Sequence, residues 1–247
     1  VGGGALHSNT TASNNTAIGY RSLKVNTTGH SNVALGVEAL DANTTATYNT
    51  GLGFRTLSDN TTGASNVAVG AGALKTNTTA SNNTAVGYDA LFANTTGDGN
   101  VAVGVQALGA NTTSAGNTAL GYGAARTTTT GASNTAVGYL SLKQNTTGHS
   151  NVSVGFTALQ ENTTGANNTS VGFQSGLANT TGSSNTSLGH NSLISNTTAS
   201  LNTAVGRSAL QANTTGAENT ATGYNSQLST TTGNYNTSNG SGSLAAN

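Results

Sequence analysis

The sequence predicts an all-β chain, a parallel β-solenoid (β-roll) of about fourteen 17-residue coils, and three observations carry that prediction. An Asn opens each unit at Asn15, Asn32, Asn49, Asn66, Asn83, Asn100, Asn117, Asn134, Asn151, Asn168, Asn185, Asn202, Asn219 and Asn236, without one insertion. A Gly follows four residues after every one of them. Each unit also carries several Thr and Asn beside its Gly, residues that disfavour a helix interior. Spacing kept so strictly means that each unit stacks on the last.

Within a unit the opening segment comes first. Asn15-Thr16-Ala17-Ile18-Gly19-Tyr20 returns as Asn83-Thr84-Ala85-Val86-Gly87-Tyr88 and as Asn134-Thr135-Ala136-Val137-Gly138-Tyr139. This reads as a short strand ending at a corner. The corner is Gly19, Gly36, Gly53, Gly70, Gly87, Gly104, Gly121, Gly138, Gly155, Gly172, Gly189 and Gly206, and so constant a Gly requires positive φ or a backbone approach too close for a Cβ. Before it stands an aliphatic ladder that includes Ile18, Leu35, Leu52, Val69, Val86, Val103 and Leu120. The ladder is expected to form core, sharing a face with the Thr or Val two residues earlier.

After the corner comes a position rich in aromatics, including Tyr20, Phe54, Tyr88, Tyr122, Tyr139, Phe156, Phe173 and Tyr224. It also admits His190 and Arg207, so partial burial is expected. Next come positions of mixed charge, such as Arg21, Glu38, Arg55 and Asp89, which read as solvent-facing. A second apolar ladder follows at Leu23, Leu40, Leu57, Leu74, Leu91, Leu108, Leu142, Leu159, Leu193 and Leu210, with a small residue always before it. The unit closes in a turn through Asn-Thr-Thr, commonly followed by Gly.

The array reads as one continuous stretch over 1–247, an excerpt of a longer chain, with coils degenerate after about residue 222. Its charged residues are 6% of the chain and balance to zero, so no field exists to recruit nucleic acid or an anionic membrane. Cys, Met, Trp and Pro are all absent, which removes disulfides and thiolate metal sites. The four His lack Cys partners and metal-ligand spacing, the Gly-x-Gly runs open no phosphate-binding loop, and the carboxylates form no repeated pair. No catalytic, cofactor-binding or metal residue is expected, and no enzyme.

The core Asn-Thr-Ala-Val-Gly-Tyr-x-Ala-Leu resembles the head repeats of trimeric autotransporter adhesins, from Asn15 to about Leu228. It is also similar to repeats of phage tail-fibre and endosialidase-chaperone-type proteins. The unit here is seventeen residues against the usual fourteen of the adhesins. The resemblance implies a left-handed β-roll, three rolls side by side as a homotrimer, and adhesion at a cell or virion surface.

The Asn-Thr-Thr turn offers the candidate sites: Asn26, Asn43, Asn60, Asn77, Asn94, Asn111, Asn145, Asn162, Asn179, Asn196 and Asn213. Each opens an Asn-x-Thr glycosylation acceptor sequence, and covalent glycans would fit an extracellular chain. Asn and Thr also suit a turn on backbone grounds alone, Asn tolerating left-handed φ and Thr bonding nearby backbone. If the stretch is extended, Asn and the second Thr face one way and form an array at strand spacing. Such an array defines an alternative function, an ice-binding or carbohydrate-binding solenoid. The leading expectation is a structural component of an extracellular fibre or adhesin that self-associates, with a cell-surface or matrix ligand as a further partner.

Overall fold

The computed structural model describes residues 2–245 and is an all-β parallel β-solenoid without helix. One compact unit, Val1–Tyr122, carries β1 (Thr16–Ile18), β2 (Val33–Leu35), β3 (Thr50–Leu52), β4 (Val67–Val69), β5 (Thr84–Val86), β6 (Val101–Val103) and β7 (Thr118–Leu120). A second, Gly123–Asn247, carries β8 (Thr135–Val137), β9 (Val152–Val154), β10 (Thr169–Val171), β11 (Thr186–Leu188), β12 (Thr203–Val205), β13 (Thr220–Thr222) and β14 (Thr237–Asn239). Within each unit every strand pairs in parallel with the next, in a register such as Thr84↔Val101 that joins residues seventeen apart.

Only three residues per coil are strand, and turns make up the remainder. The turns nevertheless bond from coil to coil: Leu91 donates its N–H to the Ala107 carbonyl at 3.0 Å, and Thr95 to the Thr112 carbonyl at 2.8 Å. Backbone groups are therefore satisfied mainly along the stack, with short turn bonds inside each coil such as Asn94 N–H to the Leu91 carbonyl at 3.2 Å.

The core corrects one expectation. The aliphatic ladder before the Gly faces outward, with Ile18, Leu35 and Leu120 each nearly half exposed, while Ala34, Ala68, Ala85, Ala102 and Ala119 between the two outer strand positions are fully buried. Strand side chains alternate, so a strand that reads equally well in two registers of facing can be assigned to the wrong one by a single residue. The deciding restraint is the coil's width. Leu40, Leu57, Leu74, Leu91 and Leu108 fill its centre, each fully buried, leaving room opposite only for Gly, Ala or Ser. That second ladder is core as expected.

These leucines share a backbone feature: Leu40, Leu74, Leu91 and Leu108 lie in the left-handed region at φ between 49° and 53°. For an L-residue that conformation costs about 1–2 kcal/mol. Complete burial of each side chain, worth about 1.5–3 kcal/mol, offsets the cost.

The Gly corner behaves as anticipated, and both suggested causes hold together. Gly87 has φ 135°, and a Cβ built on it would lie 2.5 Å from the Gly104 carbonyl oxygen; the same clash with the next coil recurs at Gly70, Gly172, Gly189 and Gly206.

Two columns of buried asparagine complete the interior. In the first unit the Nδ2 of Asn26, Asn43, Asn60, Asn77, Asn94 and Asn111 donates to the Oδ1 of the corresponding Asn one coil earlier, at 2.8–3.1 Å. In the second column the opening Asn offers its Oδ1 to the backbone N–H of the next opening Asn, as Asn83 does to Asn100 at 2.8 Å. Both columns also hold the turn: Asn15 and Asn26 each donate to the Gly29 carbonyl at 2.8 Å.

The second unit has a weak coil where these rules lapse. Gln227 occupies the leucine position, fully buried at φ 50°, and neither atom of its amide finds a partner in the protein. Nearby Thr230 replaces the column asparagine, so the Asn213 Oδ1 loses its donor. Gln227→Leu is expected to raise stability by about 2–3 kcal/mol, since two unpaired buried polar atoms are exchanged for a side chain that Leu210 carries at the same φ. Urea unfolding followed by circular dichroism measures it; an unchanged midpoint would mean that water already satisfies that amide.

Candidate functional site

The strands place an uncharged, largely apolar face outward in each unit. Its columns are the first and third strand residues: in the first unit, Thr16, Val33, Thr50, Val67, Thr84, Val101 and Thr118 beside Ile18, Leu35, Leu52, Val69, Val86, Val103 and Leu120. Val33, Val67 and Val101 are between 37 and 38% exposed, and Leu35 and Leu120 more so. No strand residue in either unit bears a charge. Parallel sheets are ordinarily covered on both faces, and here one face is covered by the coil's own core while the other is bare. Sequence reasoning missed this face because it placed the ladder inside; the available signal was the restriction of the middle strand residue to Ala, Gly or Ser.

The asparagines offered as acceptor sites or as a binding face lie inside the coil. Asn26, Asn43, Asn60, Asn77, Asn94, Asn111, Asn145, Asn162, Asn179, Asn196 and Asn213 are each at most 2% exposed. Their Nδ2 atoms, where a glycan would attach, donate within the columns and to turn carbonyls. A sugar on that nitrogen has no room in the folded coil. Nor does an Asn-x-Thr array exist, because the second Thr of each turn, such as Thr28, Thr62 or Thr96, points to solvent while its Asn points inward. The stretch is a turn and not extended, so two residues apart does not mean one face. The first Thr is spent on stacking: Thr95 Oγ1 donates to the Thr112 carbonyl at 3.0 Å.

The aromatic position lies at the surface. In the second unit Tyr139, Phe156, Phe173 and His190 form a continuous stack with centroids 5.0–5.2 Å apart and planes within 12° of parallel. Arg207 continues the line over Tyr224, at 5.7 Å from the ring centroid. The first unit alternates instead, with Tyr20, Phe54, Tyr88 and Tyr122 separated by Val37, Ala71 and Val105.

Charge gathers in one place. Arg21 bonds the Asp41 carboxylate at 2.9 Å, and Arg55 bonds Glu38 at 2.6 Å. Burial nevertheless holds the Asp41 carboxyl above the usual carboxylate range, against the opposing pull of Arg21 and Lys24. Its ionisation therefore subtracts stability as pH rises from the ordinary carboxylate range through that raised value. The remaining groups are dispersed: His30 packs edge-on against Tyr48, His149 sits by Ser150, and among the described residues no three of His, Cys, Asp and Glu come together as a metal site would need.

No known protein family, no curated protein and no solved structure matches this chain.

Proposed function

We propose that the chain is a structural segment of an extracellular fibre or adhesin, and that copies associate side by side through the bare Thr/Val–x–Val/Leu face, as a homotrimer. The observation carrying this reading is that face itself: uncharged, repeated at every strand, and exposed in a parallel sheet. All described residues from Asn15 to Tyr235 are committed to coils and none of them covers that face. A second copy offers the matching surface at the matching spacing. The likeness of the repeat to trimeric autotransporter heads supports three copies and a surface location, and a solenoid with so little charge suits a spacer more than a nucleic-acid or membrane binder.

Sedimentation of the full chain tests this. The parent protein is expected to run as an oligomer, and the combined Val69→Lys, Val86→Lys and Val103→Lys variant as a monomer with unchanged circular dichroism, since those side chains already face outward. A parent that sediments as a monomer at about 100 μM, where even a weak specific oligomer would be populated, would refute the reading.

A further inference from the structure

We propose that the notch above Ala71 and Gly72 in the first unit binds one neutral pyranose ring of a glycan. This goes beyond the fibre reading and does not depend on self-association. Neighbouring coils carry Phe54-Arg55 and Tyr88-Asp89 at the two positions after the corner; the coil between them carries Ala71-Gly72. A cavity of about 200 Å³ lies at this coil, with Phe54, Ala71, Gly72 and Tyr88 among its lining together with the charged side chains of Arg55, Lys75 and Asp89. Elsewhere in that unit's aromatic line the intervening residue is Val37 or Val105, which fills the gap.

Ring spacing frames the guest. Rings on adjacent coils of the second unit stand 5.0–5.2 Å apart from centroid to centroid, so Phe54 and Tyr88, two coils apart, leave the place of one ring between them. A saturated six-membered ring presents C–H groups on both faces and can take that place. Phe54 and Tyr88 are 52% and 56% exposed, and the Arg55 guanidinium lies over Phe54 at 5.2 Å from its centroid, so the guest meets the Tyr88 ring and the part of Phe54 that Arg55 leaves open.

The charged side chains supply hydroxyl partners of both kinds. Asp89 provides carboxylate acceptors, and its Oδ1 occupies the space that a Cβ on Gly72 would take; Gly72, at φ 72°, is the residue that leaves the carboxylate there. Lys75 provides an ammonium donor, held 5.1 Å from the centroid of Phe92. Arg55 also lines the cavity but is paired with Glu38 in the preceding coil, so Asp89 and Lys75 leave little net charge, which favours a neutral hydroxylated guest over an anion or a cation.

Saturation-transfer NMR on the full chain tests the site, with the methyl glycosides of glucose, galactose, mannose and N-acetylglucosamine as probes. At least one is expected to receive saturation from the aromatic protons and to bind with a Kd of about 1–10 mM. Ala71→Phe should weaken that binding at least about tenfold, because the added ring fills the notch as Phe156 and Phe173 fill consecutive coils. Tyr88→Val, which installs the residue found at Val105, should do the same by removing one wall while keeping the fold. Absence of transfer from all four glycosides at about 10 mM would overturn the proposal, as would full binding retained by both variants.

Discussion

Gly87→Ala is expected to destabilise the chain by at least about 3 kcal/mol, beyond the usual cost of a point substitution. The added Cβ would lie 2.5 Å from the Gly104 carbonyl oxygen and 2.7 Å from its carbon, and both are backbone atoms. Neither can yield cheaply. Gly87 donates to the Val69 carbonyl and Gly104 to the Val86 carbonyl, each at 2.8 Å, so separating the coils breaks the bonds that stack them. The φ of 135° adds its own strain for an L-residue. The comparison variant is Gly99→Asn, at a left-handed glycine with nothing within 4 Å of a built Cβ, where other coils carry Asn82 at φ 61° and Asn167 at φ 59°. That change should fall within about 0.5 kcal/mol of neutral. Urea unfolding by circular dichroism reads both, and equal midpoints for the two variants would sink the close-approach account of the corner.

Asn94→Ala should cost about 3–4 kcal/mol, because it interrupts a buried column on both sides at once. Asn94 donates to Asn77 Oδ1 at 3.0 Å and to the Gly97 carbonyl at 3.0 Å, and accepts from Asn111 Nδ2 at 2.8 Å. Alanine leaves the Asn77 oxygen and one Asn111 proton without partners, in a place 0% exposed. Asn94→Thr should cost less, since a hydroxyl still accepts: Asn145 Nδ2 reaches Thr128 Oγ1 at 3.4 Å where threonine stands naturally in the column. Hydrogen exchange at Asn77, Asn94 and Asn111 amides locates the damage, and an alanine variant as stable as the threonine variant would show that the column contributes little.

Much of this fold could be read from residue types alone, and the limits of that reading are specific. Gly87 and Leu91 were legible because each satisfies a demand that almost nothing else can: a corner with no space for a Cβ, and the one wide point of a narrow coil. Val86 was misplaced by one residue, since an apolar side chain satisfies both an interior and a face that awaits a partner. Asn94 is legible as a repeated turn residue, but as an exposed acceptor or binding site. Its polarity argued for solvent, and only the neighbour seventeen residues away makes its burial affordable. The notch over Ala71 was invisible to pattern reading for a related reason: it is defined by what two consecutive positions lack, and only the stacking of Phe54 and Tyr88 on either side gives the omission a shape.

The asparagine columns have a direction. In the first unit the Nδ2 of Asn43, Asn60, Asn77, Asn94 and Asn111 each points to the Oδ1 of the Asn one coil lower, so these side-chain amides align like arrows in a file. A stack cut anywhere would thus have unlike ends, donors bare at one and acceptors at the other. Two such stacks can continue one another only head to tail, because like ends would set acceptor against acceptor. The direction of the stack is thus written into a single side-chain type as well as into its parallel strands.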